Sequence, residues 1–450
     1  MILTADLGTR SLKAGLITFD GNLRAHVRVE YAHPPGLGND RFDPHQWEDA
    51  FTEALRQLPS ADIEAIALSG NGPTLLPCDD EGTALADADL WCNSQSIHKE
   101  GTKSYYLPKA AWLRNDNPGT WRHTRKLLSC PEWLQYRLSG RMTMTLPHEG
   151  FRPYLWDERQ LQAYDLDSTL FPPTVEMGSI AGYVRPEAAS RLGLTEGLPI
   201  VACGSDFMMA LLGSGAVRPA AVCDRAGTSE GINYCCEKSA GDPRLRDLPH
   251  AIEPYWNSAV ILSSTGLVFD WYRRLTGQGN LTYGETLAEI DDIPPGQSAP
   301  RFFPGAKGDT LWEFDGGSFH HLEPGHGSSE MGRAVMEAIG YAIKRGIEIL
   351  DEADLPVSEM RVTGGQARGE VWNQMKADIT GCRLLIPHIV DAELTGAACC
   401  ASVALGRHEN LLEAVRGFVR IQRVFEPDAH KAVLYNDAYC RYRESAALER

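Results

Sequence analysis

Apolar and polar positions alternate along this chain in blocks that predict an α/β protein. Residues 2–5 and 12–19 are apolar runs separated by Asp6-Leu7-Gly8-Thr9 and closed by Asp20-Gly21. A DG step between apolar runs is a strong hairpin signal, so the opening stretch predicts an antiparallel meander. Trp47, Ala50, Phe51, Ala54, Leu55 and Leu58 recur at helical spacing. Asp43-Pro44 ahead of them reads as N-cap and first helical residue, with Gln46 placed to complete a capping box. Residues 63–69 predict a buried strand ending at Gly70-Asn71-Gly72-Pro73. Strand, helix, strand in this order is α/β organisation.

Further along, residues 199–203 predict a strand and 207–215 a helix, with Gly204-Ser205-Asp206 at the junction. The run Val222-Cys223-Asp224-Arg225-Ala226-Gly227-Thr228-Ser229, followed by residues 231–236, repeats the opening design of strand, acidic residue, glycine–threonine turn and strand. Residues 259–264 continue that meander, and Gly266 precedes a helix through Trp271 and Leu275. The clearest periodic pattern, from Met331 through Ala338, Ile339, Ala342 and Ile343 to Leu350, predicts a long amphipathic helix. A strand at 359–363 ends in Gly364-Gly365, a helix at 371–380 stops at Gly381, and a strand at 383–389 leads to a helix at 394–405. That last helix is crowded with Gly396, Ala397, Ala398, Ala401 and Ala404, residues small enough for a neighbour to approach closely. A repeated meander implies two domains of similar fold, expected at 1–217 and 218–450.

Composition narrows the function. At 450 residues the chain is too long for one hydrophobic core. A hydrophobic fraction of 43% and a charged fraction of 23% are those of a globular protein. The net charge of −17 argues against nucleic acid or an anionic membrane as partner. A polyanion must then be gripped by local backbone donors and a metal. The 11 cysteines include two adjacent pairs and no CxxC, which fits reduced, mostly buried thiols in a cytoplasmic protein. The N-terminus shows no basic-plus-apolar leader, and no apolar run reaches membrane-spanning length.

The chemistry concentrates at the turns. Gly8 lets backbone approach an anion, Thr9 offers N–H and O–H donors, Lys13 adds charge, and Asp6 can hold a hydrated Mg²⁺. Asp206 sits where a strand ends and a helix begins, the place where α/β proteins bind ligands, although a helix cap would equally explain an aspartate there. Gly364-Gly365 offers bare backbone on which a flat adenine could lie, or forms a plain tight turn. Trp91, Trp112, Trp121, Trp133 and Trp156 cluster among polar residues, as a sugar platform or as ordinary core.

Taken together, DLGTRSLKAGL, FDPHQWEDAF, GSDFMMALLGSGAV, AGTSEGINY, TGLVFDWYRRL, MGRAVMEAIGYAIKRGIEIL and GGQARGEVWNQMKADITGC with GAACCASVALG resemble the FGGY family of carbohydrate kinases over nearly the whole length. The resemblance implies a duplicated actin-like, ribonuclease-H-type ATPase fold of two domains with a cleft between them. It implies transfer of the γ-phosphate of ATP, with Mg²⁺, to a hydroxyl of a sugar, ketose or polyol. It places Asp6 near the metal, Thr9 and Lys13 on phosphate, Asp206 as catalytic base, and Gly227 and Thr228 in a second phosphate turn. Gly266 and Asp270 fall in the nucleotide-side segment, and Gly364 and Gly365 in the adenosine loop.

The sugar side departs from the family pattern. A xylulokinase-like Gln-Met-His-Gly is here Asn71-Gly72-Pro73-Thr74, and Trp-x-Asp-x-Arg is Trp91-Cys92-Asn93-Ser94-Gln95. His148-Glu149-Gly150 and Arg152 stand where the family has an Asp or Asn in a serine–alanine context. Asn71, Trp91, Asn93, Glu149, Arg152 and Asp206 are the expected substrate contacts, and the departures argue against D-xylulose and glycerol as natural acceptors. Expected partners are a small carbohydrate and ATP, with self-association as a homodimer left open. An ATP-binding sugar sensor and an actin-like ATPase are the alternatives; turnover separates the first and ATP-dependent sedimentation the second.

Overall fold

The computed structural model describes residues 1–34, 40–296, 299–305 and 316–448. Its contacts divide the chain into two units. The first comprises Met1–Gly213, Ala251–Glu253 and Ala392–Val419; the second comprises Ser214–His250, Pro254–Asp391 and Arg420–Arg450. A single cut at 217/218 therefore leaves residues 392–419 on the wrong side. Their small-residue helix packs on strands of the first unit, a long-range choice that local sequence does not carry.

The first unit is built on six strands: β1 (Ile2–Leu7), β2 (Ser11–Ile17), β3 (Leu23–Glu30), β4 (Ala65–Gly70), β5 (Ile180–Tyr183) and β6 (Pro199–Ser205). Their order is β5-β6-β4-β1-β2-β3. β1, β2 and β3 form the predicted antiparallel meander. β4 lies parallel to β1, and β6 parallel to β4. β1 and β4 are buried at every position, as expected for strands covered on both faces, whereas β3 alternates half-buried and exposed residues along its length.

Helix α1 (His45–Gln57) lays Trp47 and Phe51 into the core beside Leu3 and Ala5. Burying a side chain such as Phe51 contributes about 1.5–3 kcal/mol. The expected capping box does not form: Asp43 accepts from the His45 N–H at 3.0 Å, but Gln46 turns outward and accepts from the His33 N–H at 2.8 Å. The amide thus anchors the segment after β3 instead of the helix end.

The second unit repeats the plan. β7 (Val222–Ala226), β8 (Glu230–Cys236), β9 (Arg246–Pro249), β10 (Trp256–Leu262), β11 (Glu359–Thr363), β12 (Arg383–Pro387) and β13 (Ile421–Phe425) run in the order β9-β10-β8-β7-β11-β12-β13. β7, β8 and β10 are the antiparallel meander; β11 and β12 add in parallel beyond β7. Between them in sequence, α4 (Thr265–Leu275) follows α2 (Cys130–Ser139) and α3 (Asp206–Ser214) of the first unit. The long helix α5 (Ser328–Glu352) supplies much of the core through Ile339, Ile343 and Leu350. α6 (Glu370–Thr380) follows β11, and α7 (Ala392–Ala404) follows β12.

All eleven cysteines are free, and only Cys92 and Cys440 are exposed. Among the described residues, no helix is long and apolar enough to cross a membrane.

Candidate active site

Parallel register assembles one end of the first sheet. Asp6 on β1 pairs with Ser69 on β4, and Ser69 with Gly204 on β6; Leu7, Gly70 and Ser205 form the next row. These are the carboxyl ends of adjacent parallel strands, where α/β sheets bind ligands. Between Ala202 and Gly204 the register slips by one residue, a bulge that only glycine serves easily because Gly204 has φ of 82°. The bulge redirects the chain immediately before Asp206, the first residue of α3.

Asp6 is 1% exposed and accepts from the Ser69 hydroxyl at 3.0 Å. Its cross-strand partner is Lys13, whose Nζ lies 3.6 Å from Asp6 Oδ2 and 3.7 Å from Oε2 of Glu393. Burial pushes the Asp6 carboxyl up to about 7; Lys13 opposes the rise, while Glu393 and Asp206 add to it. Lys13, Glu393 and Asp206 thus all lie within electrostatic reach of Asp6. Gly8 closes the turn by donating its N–H to the Ser11 carbonyl at 3.1 Å, and Thr9 is held from outside by the Trp91 indole N–H at 3.0 Å.

Asn71 does not face outward. It is 1% exposed, its amide donates to the Leu7 and Gly8 carbonyls at 2.9 and 3.2 Å, and its Oδ1 accepts from the Thr74 hydroxyl at 2.7 Å. This carboxamide braces the Asp6 turn and has no donor left for a sugar. Asn93 is similarly engaged, donating to Asp89 and accepting from the Gln95 N–H.

Of the five tryptophans, Trp133 is buried and donates to the Gly82 carbonyl, Trp156 packs on Phe171, and Trp112 lies under Arg41. Trp112 and Trp121 are half-buried and Trp91 is 41% exposed, so only Trp133 and Trp156 of this group are core, and the Trp91 indole lies at the Asp6 turn. Glu149 and Arg152 form a two-point ion pair at 2.7 and 3.1 Å, which holds the Glu149 carboxyl below its ordinary range. Just before them in sequence, Thr145 approaches Gly204, and His148 pairs with Glu253 at 2.9 Å.

In the second unit the glycine segments converge on the β7–β8 turn. Thr228 accepts at its carbonyl from the Gly266 and Leu267 N–H groups at 3.1 and 3.3 Å, and Gly227 accepts from Gln366 at 3.0 Å. A Cβ on Gly266 would lie 2.2 Å from the Gly227 oxygen. One on Gly364, which has φ of 83°, would lie 2.5 Å from the Ala226 oxygen. Gly365 faces open space. Gly227, Thr228, Gly266, Gly364 and Gly365 are thus brought together around one turn, with Gly227, Thr228 and Gly365 exposed, Gly266 half-buried and Gly364 buried. Asp270, one helical turn beyond Gly266, accepts instead from the Tyr283 hydroxyl and lies 3.8 Å from Arg273.

Beneath the turn is a feature that sequence reasoning missed. Lys376 of α6 is fully buried between Asp224 of β7, at 2.6 Å, and Glu230 of β8. Glu393 was also missed, since nothing local links a helix-start glutamate to a lysine at position 13. An acidic residue in an otherwise small, apolar helix was the available signal.

Comparison with known proteins agrees with this geometry. The FGGY family of carbohydrate kinases matches as its N-terminal domain over residues 100–213 and as its C-terminal domain over residues 225–405. The xylulose kinase of Escherichia coli K12 is 26% identical over 480 residues, covering 97% of this chain and 96% of that protein. Among solved structures, gluconate kinase from Lactobacillus acidophilus superposes with a TM-score of 0.83 at 21% identity, over 99% of this chain and 97% of the other. Plasmodium falciparum glycerol kinase with ADP gives 0.79 at 16% identity, over 99% and 97%. Both halves of one family thus occur here in order, on the duplicated two-domain actin-like fold: the chain belongs to the FGGY family of carbohydrate kinases.

Proposed function

We propose that this kinase transfers the γ-phosphoryl group of ATP to a hydroxyl of a sugar, ketose, polyol or related carbohydrate, with Asp206 as general base. The observation that carries the reading is the register that brings Asp6, on β1, and Asp206, just past β6, to the same end of the parallel strands β1, β4 and β6, with Lys13 beside Asp6. Phosphoryl transfer needs in-line positioning, neutralised charge and a base to orient the attacking hydroxyl. Asp206 takes the hydroxyl proton as the new bond to phosphorus forms. Thr9 and Lys13 contact transferring phosphate, while Gly227, Thr228 and Gly266 form the side-chain-poor turn that lets backbone approach the nucleotide phosphates. Gly364 and Gly365 bound the adenosine, and ADP bound to the glycerol kinase relative supports this assignment of the nucleotide.

The donors near Asp6 are carboxylate oxygens, with no thiolate or imidazole among the described partners, and they fit Mg²⁺, which favours one or two carboxylates plus phosphates and water. Asp6 would hold it. Bound there, the ion neutralises phosphate charge.

D-xylulose and glycerol are disfavoured as acceptors, because Pro73 supplies no donor and the Asn71 and Asn93 amides are engaged elsewhere. Trp91, Glu149 and Arg152 remain as side chains able to meet it. A screen of ATP consumption across ketoses, aldoses, polyols and sugar acids tests the reading. Turnover of any class that Asp206→Asn abolishes supports it; no turnover with any class refutes it.

A further inference from the structure

Glu393 has no role in the assignments above, yet its position is tightly built. It is the second residue of α7, and two glycines let α7 pack closely on α3. A Cβ on Gly213 would fall 1.8 Å from the Ala392 carbonyl oxygen, and one on Gly396 would fall 2.1 Å from the Met209 carbonyl oxygen. Helices α3 and α7 therefore touch backbone to backbone, and the contact sets the depth at which Glu393 enters. Leu394, the next residue, packs on Gly15 of β2, two positions beyond Lys13.

At that depth Glu393 is 4% exposed, and its Oε2 accepts no hydrogen bond among the described residues. Its recorded ion-pair partner there is Lys13, at 3.7 Å, while Asp6 lies 3.6 Å from the same ammonium. Both separations exceed an ordinary hydrogen bond, so the ammonium stands within ion-pair reach of both carboxylates without being locked to either. A buried carboxylate with one oxygen left without a hydrogen bond is poor value for stability, because desolvation offsets most of the attraction. Its placement is better explained by what it does to Lys13.

We infer that Glu393 is a positioning residue for phosphoryl transfer: it holds Lys13 beside the phosphate turn when Asp6 is engaged by the metal–nucleotide complex. This rests on the roles proposed for Asp6 and Lys13. A lysine paired with Asp6 alone would compete with the cation for the same oxygen, or leave the site. The second carboxylate, brought in by α7, gives the ammonium a fixed anchor.

A double-mutant cycle tests this, using the best acceptor from the substrate screen. Glu393→Gln should lower kcat by about tenfold or more, the size of coupling expected for charges in contact. It should leave the acceptor KM and the melting temperature unchanged. In a Lys13→Met background the same substitution should change kcat by less than about twofold. Calorimetric affinity for ADP at saturating Mg²⁺ should show the same coupling. Equal losses in both backgrounds overturn the inference, because Glu393 would then act independently of Lys13. Unchanged turnover in Lys13→Met alone overturns the proposed phosphate turn, and this inference with it. If Glu393→Gln does not fold, Glu393→Asp retracts the charge by one methylene and must show the same non-additivity.

Discussion

Adjacent glycines at the end of β11 are predicted to respond to the same substitution in opposite ways. Gly364 has φ of 83° and ψ of −169°, a region that essentially only glycine occupies. A Cβ there would also stand 2.5 Å from the Ala226 carbonyl oxygen, and backbone cannot move aside as a side chain can. The strain costs about 1–3 kcal/mol and the overpacking about 1–3 kcal/mol more. Gly364→Ala should therefore destabilise by about 2–6 kcal/mol and lower the melting temperature by at least about 4 °C. Gly365 has no positive φ and no heavy atom within 4 Å of its would-be Cβ, so Gly365→Ala should leave stability unchanged or slightly improved. Its methyl would instead occupy the bare surface assigned to adenosine. The assay is thermal melting of each variant, followed by KM for ATP and for the acceptor at saturating co-substrate. Gly365→Ala should raise the KM for ATP and spare that of the acceptor. Wild-type melting for Gly364→Ala would refute the packing argument, and an unchanged KM for ATP in Gly365→Ala would refute the adenosine assignment.

Asp206→Asn keeps the shape and capping ability of aspartate but removes the base, so kcat should fall by about 10²-fold or more with the melting temperature and ATP affinity almost unchanged; near-normal turnover would reduce Asp206 to a helix-start residue. Because burial raises the Asp6 carboxyl from 3.8 to about 7, the folded state holds a proton that the unfolded chain releases. Its contribution to stability is present below pH 3.8 and declines as pH rises toward 7. Mg²⁺ must displace that proton, so the Mg²⁺ concentration for half-maximal activity should fall between pH 6 and pH 8, measured at fixed ATP. Lys376→Met leaves Asp224 and Glu230 as buried, unpaired carboxyls and should cost about 3–5 kcal/mol in urea unfolding. Glu149→Gln or Arg152→Leu should raise the acceptor KM while sparing that for ATP; efficient use of D-xylulose unaffected by either change would show that the pair does not meet the substrate.

Local pattern carried much of this protein. The meander turns at Asp6–Thr9 and Gly227–Thr228, the strand Glu359–Thr363 and the long helix within Ser328–Glu352 are legible because apolar periodicity and turn chemistry act over a few residues. The glycines at 266 and 364 were legible too, since a backbone that must pass close to another leaves no room for a side chain. What the tertiary structure decided is which surfaces meet. The tryptophans at 133 and 156 went to the core because helix and loop packing, not spacing, sets their burial. Asn71 became a brace for the Asp6 turn because parallel pairing of β1 and β4 brought it under the Leu7 and Gly8 carbonyls. Glu393 reached Lys13 because two glycines allow α3 and α7 to touch, and no local signal spans that separation in sequence. Periodicity reports which face of an element is buried, whereas the partner it is buried against is chosen by packing of the whole unit.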